Sequence, residues 1–181
     1  MSLLQTNNQR TRKSLNDPII QRERARLSAN LVTKYDILEL RTMIKPPNMV
    51  LDVWKIIAFL LEEPAENYGL KGMRFCMRDS ERFLNRLVNF DKDSIPENMV
   101  GKMRCFVNND KFSCENVMKV NLALASLVNW MRNIWDYWCA SQDLGSDARL
   151  VGKNSSKFSR KNLRLNISKS YATTFKNFRY Y

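Results

Sequence analysis

Four cysteines, Cys76, Cys105, Cys114 and Cys139, are the only thiols in a chain of 181 residues that contains no histidine. Tetrahedral zinc needs four such donors, and structural sites usually bring them as closely spaced pairs. These four stand alone, with no C-x-x-C pair, so the spacing argues for free, buried or semi-buried thiols in a reducing compartment. The absence of histidine also removes any Ser-His or Cys-His couple for nucleophilic catalysis. Gly101-Lys102 is followed by Met103, and Gly152-Lys153 by Asn154, so neither can cradle a phosphate and place a hydroxyl on magnesium. Asp91 and Asp93 lie two apart in a polar stretch and read as solvated turn acids without an acid–base partner. The expectation is a chain that binds through surfaces, with no catalytic, cofactor or metal site.

The net charge is +12, and its placement narrows the partners. Residues 1–34 carry seven Lys/Arg against two acids, and residues 142–181 carry nine against two. Residues 35–141 carry fourteen of each. Basic flanks around a neutral middle favour polyanions: nucleic acid, acidic lipid or acidic protein tails. The polar N-terminus has no apolar signal core, and the apolar run Ile56 to Leu61 is far too short to span a bilayer. The reading is a soluble intracellular protein with no membrane partner. The Asn-x-Ser patterns at Asn154 and Asn166 are then chance matches.

Helices must position whatever surface the chain uses. Residues 1–17 read as disordered. Asp17-Pro18 is a helix start, with Asp17 as N-cap, and Leu27, Leu31, Tyr35, Leu38 and Thr42 form a weak seam along one helix over 18–45. Pro46-Pro47 ends it. A second helix starts at Pro47 and buries Val50, Val53, Trp54, Ile57, Leu60 and Leu61 until Pro64. Gly69 marks a turn. Short helices follow over 70–77 and 79–90, the latter with Phe83, Leu84, Leu87 and Val88 inward. Another starts at Pro96-Glu97 with Met99, Val100 and Met103. The last helix starts at a Ser113 cap and carries Val117, Val120, Leu124, Leu127, Met131, Ile134 and Trp138 in unbroken steps of three and four. Val128 and Trp135 widen its stripe. After Ala140 the pattern collapses, and 142–181 read as a basic, disordered tail. The fold class is all-α: a small helical bundle, 46–141, on a short antiparallel coiled-coil stub.

Three segments give this order a family likeness: LELRTMIKPPNMV (38–50), RFLNRLVNFDKDSIPENMVGKM (82–103) and FSCENVMKVNLALASLVNWMRNIWDYW (112–138). Over about residues 33–140 the chain resembles the microtubule-binding stalk tip of a dynein heavy chain, closest to the axonemal type. The resemblance implies a helical bundle that docks between α- and β-tubulin with the start of its first helix and with its final helix. It assigns Lys119 to a basic contact position on the final helix and Glu115 to an acidic one a turn earlier. Lys55 lies on the first helix and could contribute. Lys102 and Arg104 enter on charge alone. Leu51 and Asn129 depart from the pattern, standing where many or some dyneins have lysine. The seam fades near Ala140, and the outgoing helix is only about 25 residues, roughly 38 Å if fully helical. The resemblance therefore implies a truncated chain or fragment without the ATPase motor ring. Its expected partners are tubulin, with other dynein subunits possible, and nucleic acid only nonspecifically through the tail. Its expected place is the cytoplasm and cytoskeleton, including the cilium or axoneme. The competing readings are a basic nucleic-acid-binding protein, whose Tyr171, Phe175, Phe178 or Tyr180 would stack on bases, and a helical interaction module.

Overall fold

The computed structural model describes residues 17–147. The expected disorder of residues 1–16 and the tail beyond Asp147 lie outside those residues. Eight α-helices and two 3-10 turns make up the described chain, which contains no strand. Among the described residues, no helix is long and apolar enough to cross a membrane. No group of three or more His, Cys, Asp or Glu there could hold a metal.

Helix α1, Pro18–Ala29, begins as the sequence predicts. Pro18 occupies the first turn, and Asp17 Oδ1 accepts the Ile19 N–H at 2.9 Å. The single helix expected over 18–45 is not there, however. The chain breaks at Asn30 and restarts as α2, Lys34–Thr42. A capping box opens the new helix. Thr33 Oγ1 accepts the Asp36 N–H at 3.1 Å, and Asp36 Oδ2 accepts the Thr33 N–H at 2.8 Å. Two start-of-helix donors are thereby satisfied. The break resets the phase of the apolar face. Tyr35 is 82% exposed and Leu38 43% exposed, while Val32, Ile37 and Leu40 are buried.

Helix α3, Asn48–Leu60, follows the double proline and buries the predicted face, Val50, Val53, Trp54, Ile57 and Leu60, with Leu61 just beyond its end. It stops at Glu62, a non-glycine residue at φ 55°, and the Glu63 N–H reaches back to the Ala58 carbonyl at 2.8 Å. A 3-10 turn, Ala65–Tyr68, then passes under the core, and the Trp54 indole N–H donates to the Asn67 carbonyl at 2.7 Å. Helix α4, Leu70–Cys76, crosses that turn so closely that a Cβ on Gly72 would lie 2.1 Å from Asn67 Cα. Glycine is required here for the approach of two backbones.

Helix α5, Ser80–Val88, is capped by Asp79, and α6, Glu97–Val107, opens at Pro96. Between them the loop is fastened at Asp93. Its carboxylate accepts from Arg22 at 2.7 Å and from the Tyr137 hydroxyl. Asp93 is therefore a structural clamp and not the unpartnered loop acid its sequence context suggests. The thiols also divide. Cys76, Cys114 and Cys139 are partly buried, but Cys105 is exposed, against the expectation for all four. Burial, reinforced by the Glu63 carboxylate, pushes the Cys76 thiol up to about 12.

The final segment is likewise two helices, not one. Helix α7, Cys114–Val120, ends at Asn121, whose backbone is extended at φ −167° and ψ 129°, and α8 runs Leu122–Asp147. The helical backbone continues past Ala140, where the apolar pattern fades. Once a helix is nucleated, each further residue adds a backbone bond at little cost, so the helix runs on beyond its apolar face. Helices α1 and α2 pack along α8. Glu39 on α2 meets Asn121 at the start of α8, while Arg22 on α1 reaches Tyr137 late in α8 through Asp93. These two ties make the pair antiparallel. Trp130, Leu127 and Leu87 are buried in the core between the stub and the insert, and Phe90 packs edge-on against Trp130 at 5.6 Å.

Candidate functional site

With Val50, Val53, Trp54 and Ile57 turned into the core, α3 presents Asp52, Lys55 and Phe59 on its outer side. Their spacing of three and four residues makes one stripe. Two lysines from other segments are held on it. Lys111 Nζ lies 2.8 Å from Asp52 Oδ2, and Lys102 Nζ lies 3.3 Å from the Phe59 ring centroid. Lys55 is exposed between them.

The turn carrying Lys111 is firmly placed. It is the 3-10 segment Asp110–Phe112. The Arg132 guanidinium on α8 donates to the Phe112 carbonyl at 2.9 Å and to the Val107 carbonyl at 3.2 Å. The Phe112 ring stacks on Phe106 at 4.4 Å. Helix α7 follows directly, with Ser113 Oγ accepting the Asn116 N–H at 3.3 Å. Asn116 then works in two directions. Its Nδ2 donates to the Asp110 carbonyl at 2.9 Å, and its Oδ1 accepts from Lys119 Nζ at 3.2 Å. A continuous series of contacts thus runs from Lys119 through Asn116 and the 110–112 turn to Lys111, Asp52 and the Lys55 stripe.

The chain matches the family described as the microtubule-binding stalk of the dynein motor over residues 3–176. It belongs to that family. Dynein axonemal heavy chain 6 of Homo sapiens is 35% identical over 99 residues, 55% of this chain and 2% of that protein. Dynein axonemal heavy chain 14 of Homo sapiens is 29% identical over 129 residues, 71% of this chain and 4% of its own length. The ciliary dynein beta chain of Tripneustes gratilla is 27% identical over 133 residues, 70% of this chain and 3% of its own length. The chain thus spans only 2–4% of these relatives' length, and the match is to the stalk domain.

The dynein stalk fold places the sequence-derived residues unequally. Lys119 and Glu115 are both exposed on α7, one turn apart. Lys55 and Lys102 share the α3 stripe. Arg104 does not join them. Two residues along α6 from Lys102, it points roughly 200° away around the helix. Lys111 was missed by sequence reasoning. Its only local signal is its place in the polar NNDK stretch before the Ser113 cap, and nothing local aims it at Asp52, 59 positions earlier.

Proposed function

We propose that this dynein stalk tip docks on a microtubule through the face shared by α3, the 110–112 turn and α7. Lys119 and Lys55 meet the acidic tubulin surface there, Glu115 meets a basic group, and Lys102 extends the face along α3. Lys111 joins them. Its ammonium is held beside position 52, next to Leu51, where many dyneins have a lysine. Arg104 has no part in this face. The observation that carries the reading is the unbroken contact series from Lys119 to the Lys55 stripe, which makes cations from three segments one surface. Isolated exposed charges do little, but a fixed array gives orientation and a fast encounter with an oppositely charged partner.

Binding is the role proposed for these residues, and catalysis is not. The axonemal and ciliary relatives support a place on the cytoskeleton of a cilium or axoneme. The basic flanks, residues 1–34 and 142–181, add long-range attraction to tubulin's acidic tails. Co-pelleting of the full chain with assembled microtubules tests the proposal. Lys119→Glu should remove most binding, since a like charge set against an acidic interface costs several kcal/mol. Arg104→Glu should change it far less. Equal binding by wild type and Lys119→Glu at moderate salt would sink the assignment.

A further inference from the structure

The apolar series Val117, Val120, Leu124, Leu127, Met131, Ile134 is written for one straight helix, yet the chain bends in the middle of it. Only Val120 falls out of the core. It is 40% exposed beside Leu122 at 49%, while Val117, Leu124, Leu127, Met131 and Ile134 are all buried. A segment that satisfies the continuous pattern and adopts the broken one has two packings available to it. Something must select the bend.

Asn121 does so with every polar group it has. Its N–H closes α7 on the Val117 carbonyl at 2.9 Å, and its carbonyl accepts the Ala125 N–H at 3.1 Å. Its Oδ1 caps α8 by accepting the Leu124 N–H at 2.7 Å. Its Nδ2 donates to Glu39 Oε1 on α2 at 2.5 Å, a contact 82 positions apart. Capping by itself leaves the bend free to straighten, because an asparagine in mid-helix is only mildly unfavourable. The bond to an anion on a neighbouring helix is the part that a straight α7–α8 could not keep in the same geometry, and charge-assisted bonds are the stronger kind.

We infer that the Glu39–Asn121 bond is the tie that holds the α7–α8 hinge bent, and that both are positioning residues for the docking face because the bend sets where Lys119 and Glu115 stand relative to Lys111 and Lys55. The inference rests on the docking face proposed above. Without the bond α7 is free to align with α8, which returns Val120 to the stripe and carries Lys119 away from the turn.

The test is a charge swap in the full chain. Asn121→Asp keeps the cap on Leu124 but sets two carboxylates against each other, and microtubule affinity should fall roughly tenfold. Adding Glu39→Gln restores a donor–acceptor pair with the roles reversed, and affinity should return to within about twofold of wild type. Asn121→Ala, which favours a continuous helix, should also weaken binding. It should raise hydrogen-exchange protection at the Leu122 and Ala123 amides, which sit in the first turn of α8 without intrahelical acceptors. A merely structural loss would lower protection there. If Lys119→Glu loses binding while Asn121→Asp and Asn121→Ala bind as wild type, the hinge inference is overturned and the docking face stands. Failure of Glu39→Gln to rescue Asn121→Asp overturns it as well. If Lys119→Glu itself binds normally, the docking face is what fails.

Discussion

The Tyr137 hydroxyl donates to the Asp93 carboxylate across 44 positions of chain, joining the far part of α8 to the loop between α5 and α6. Arg22 on α1 closes the group at 2.7 Å from the same carboxylate. Three segments with no local relation are fixed to one another by one acid.

The clamp should show in the pH dependence of stability. The bond from Tyr137, followed by the charge of Arg22, holds the Asp93 carboxyl below its ordinary value. A carboxyl lowered in the folded state adds stability that is full above its unfolded value, near 3.9, and is lost as pH falls through the folded one. Burial, then the bond to Asp93, raises the Tyr137 phenol to about 12. That contribution is full below about pH 10 and fades as pH rises toward the folded value. The Tm difference between wild type and Tyr137→Phe should therefore be flat from about pH 5 to 9 and shrink on both sides. A difference that stays unchanged throughout the acid range would show that Asp93 does not carry the clamp.

Trp130 is 1% exposed and meets Phe90 edge-on. Trp130→Ala should cost about 3–5 kcal/mol, the usual result of deleting a large buried aromatic. Denaturant unfolding measures it, and a wild-type midpoint would contradict the packing described.

Two glycines should respond in opposite directions to alanine. At Gly72 the new Cβ meets the Asn67 backbone, which cannot yield without moving the carbonyl that holds Trp54. Gly72→Ala should lower Tm sharply. Gly101 lies within α6 with nothing near its Cβ position, so Gly101→Ala should add about 0.5–1 kcal/mol. Thermal melts of both variants decide, and equal effects would mean that α4 and the Ala65–Tyr68 turn are not in close approach.

Glu62 occupies left-handed backbone at the end of α3, at φ 55°. Glu62→Gly removes the Cβ conflict and should stabilise the chain by about 1 kcal/mol. A lower Tm would indicate that the Glu62 side chain contributes more than its backbone costs.

Salt should separate the docking face from the flanks. Attraction from the basic flanks acts over distance and fades as the screening length falls to about 8 Å near physiological ionic strength. Titrating salt in the co-pelleting assay should remove the residual binding of Lys119→Glu first and leave part of the wild-type binding. Parallel salt curves for the two would assign all affinity to the flanks.

Signals carried within a few residues were enough to place most elements. Asp17-Pro18 and Ser113 announced their helix starts, the double proline ended α2's neighbourhood, and the period of α3 named its buried face. These depend on backbone donors and side chains one turn apart, which a sequence displays directly. The order of LELRTMIKPP, the middle loop and the final helix likewise carried the family. The two helix breaks were not recognised, although Thr33-x-x-Asp36 is a capping signature and Asn121 a good cap. An apolar period that runs through a break is equally consistent with a straight helix, and only packing against α2 and α8 chooses between them. The placement of Lys111 on Asp52, of Asp93 on Tyr137 and of Glu39 on Asn121 had no local trace at all. Each joins residues 44 to 82 positions apart, and such pairs become neighbours only when the core has brought their helices together.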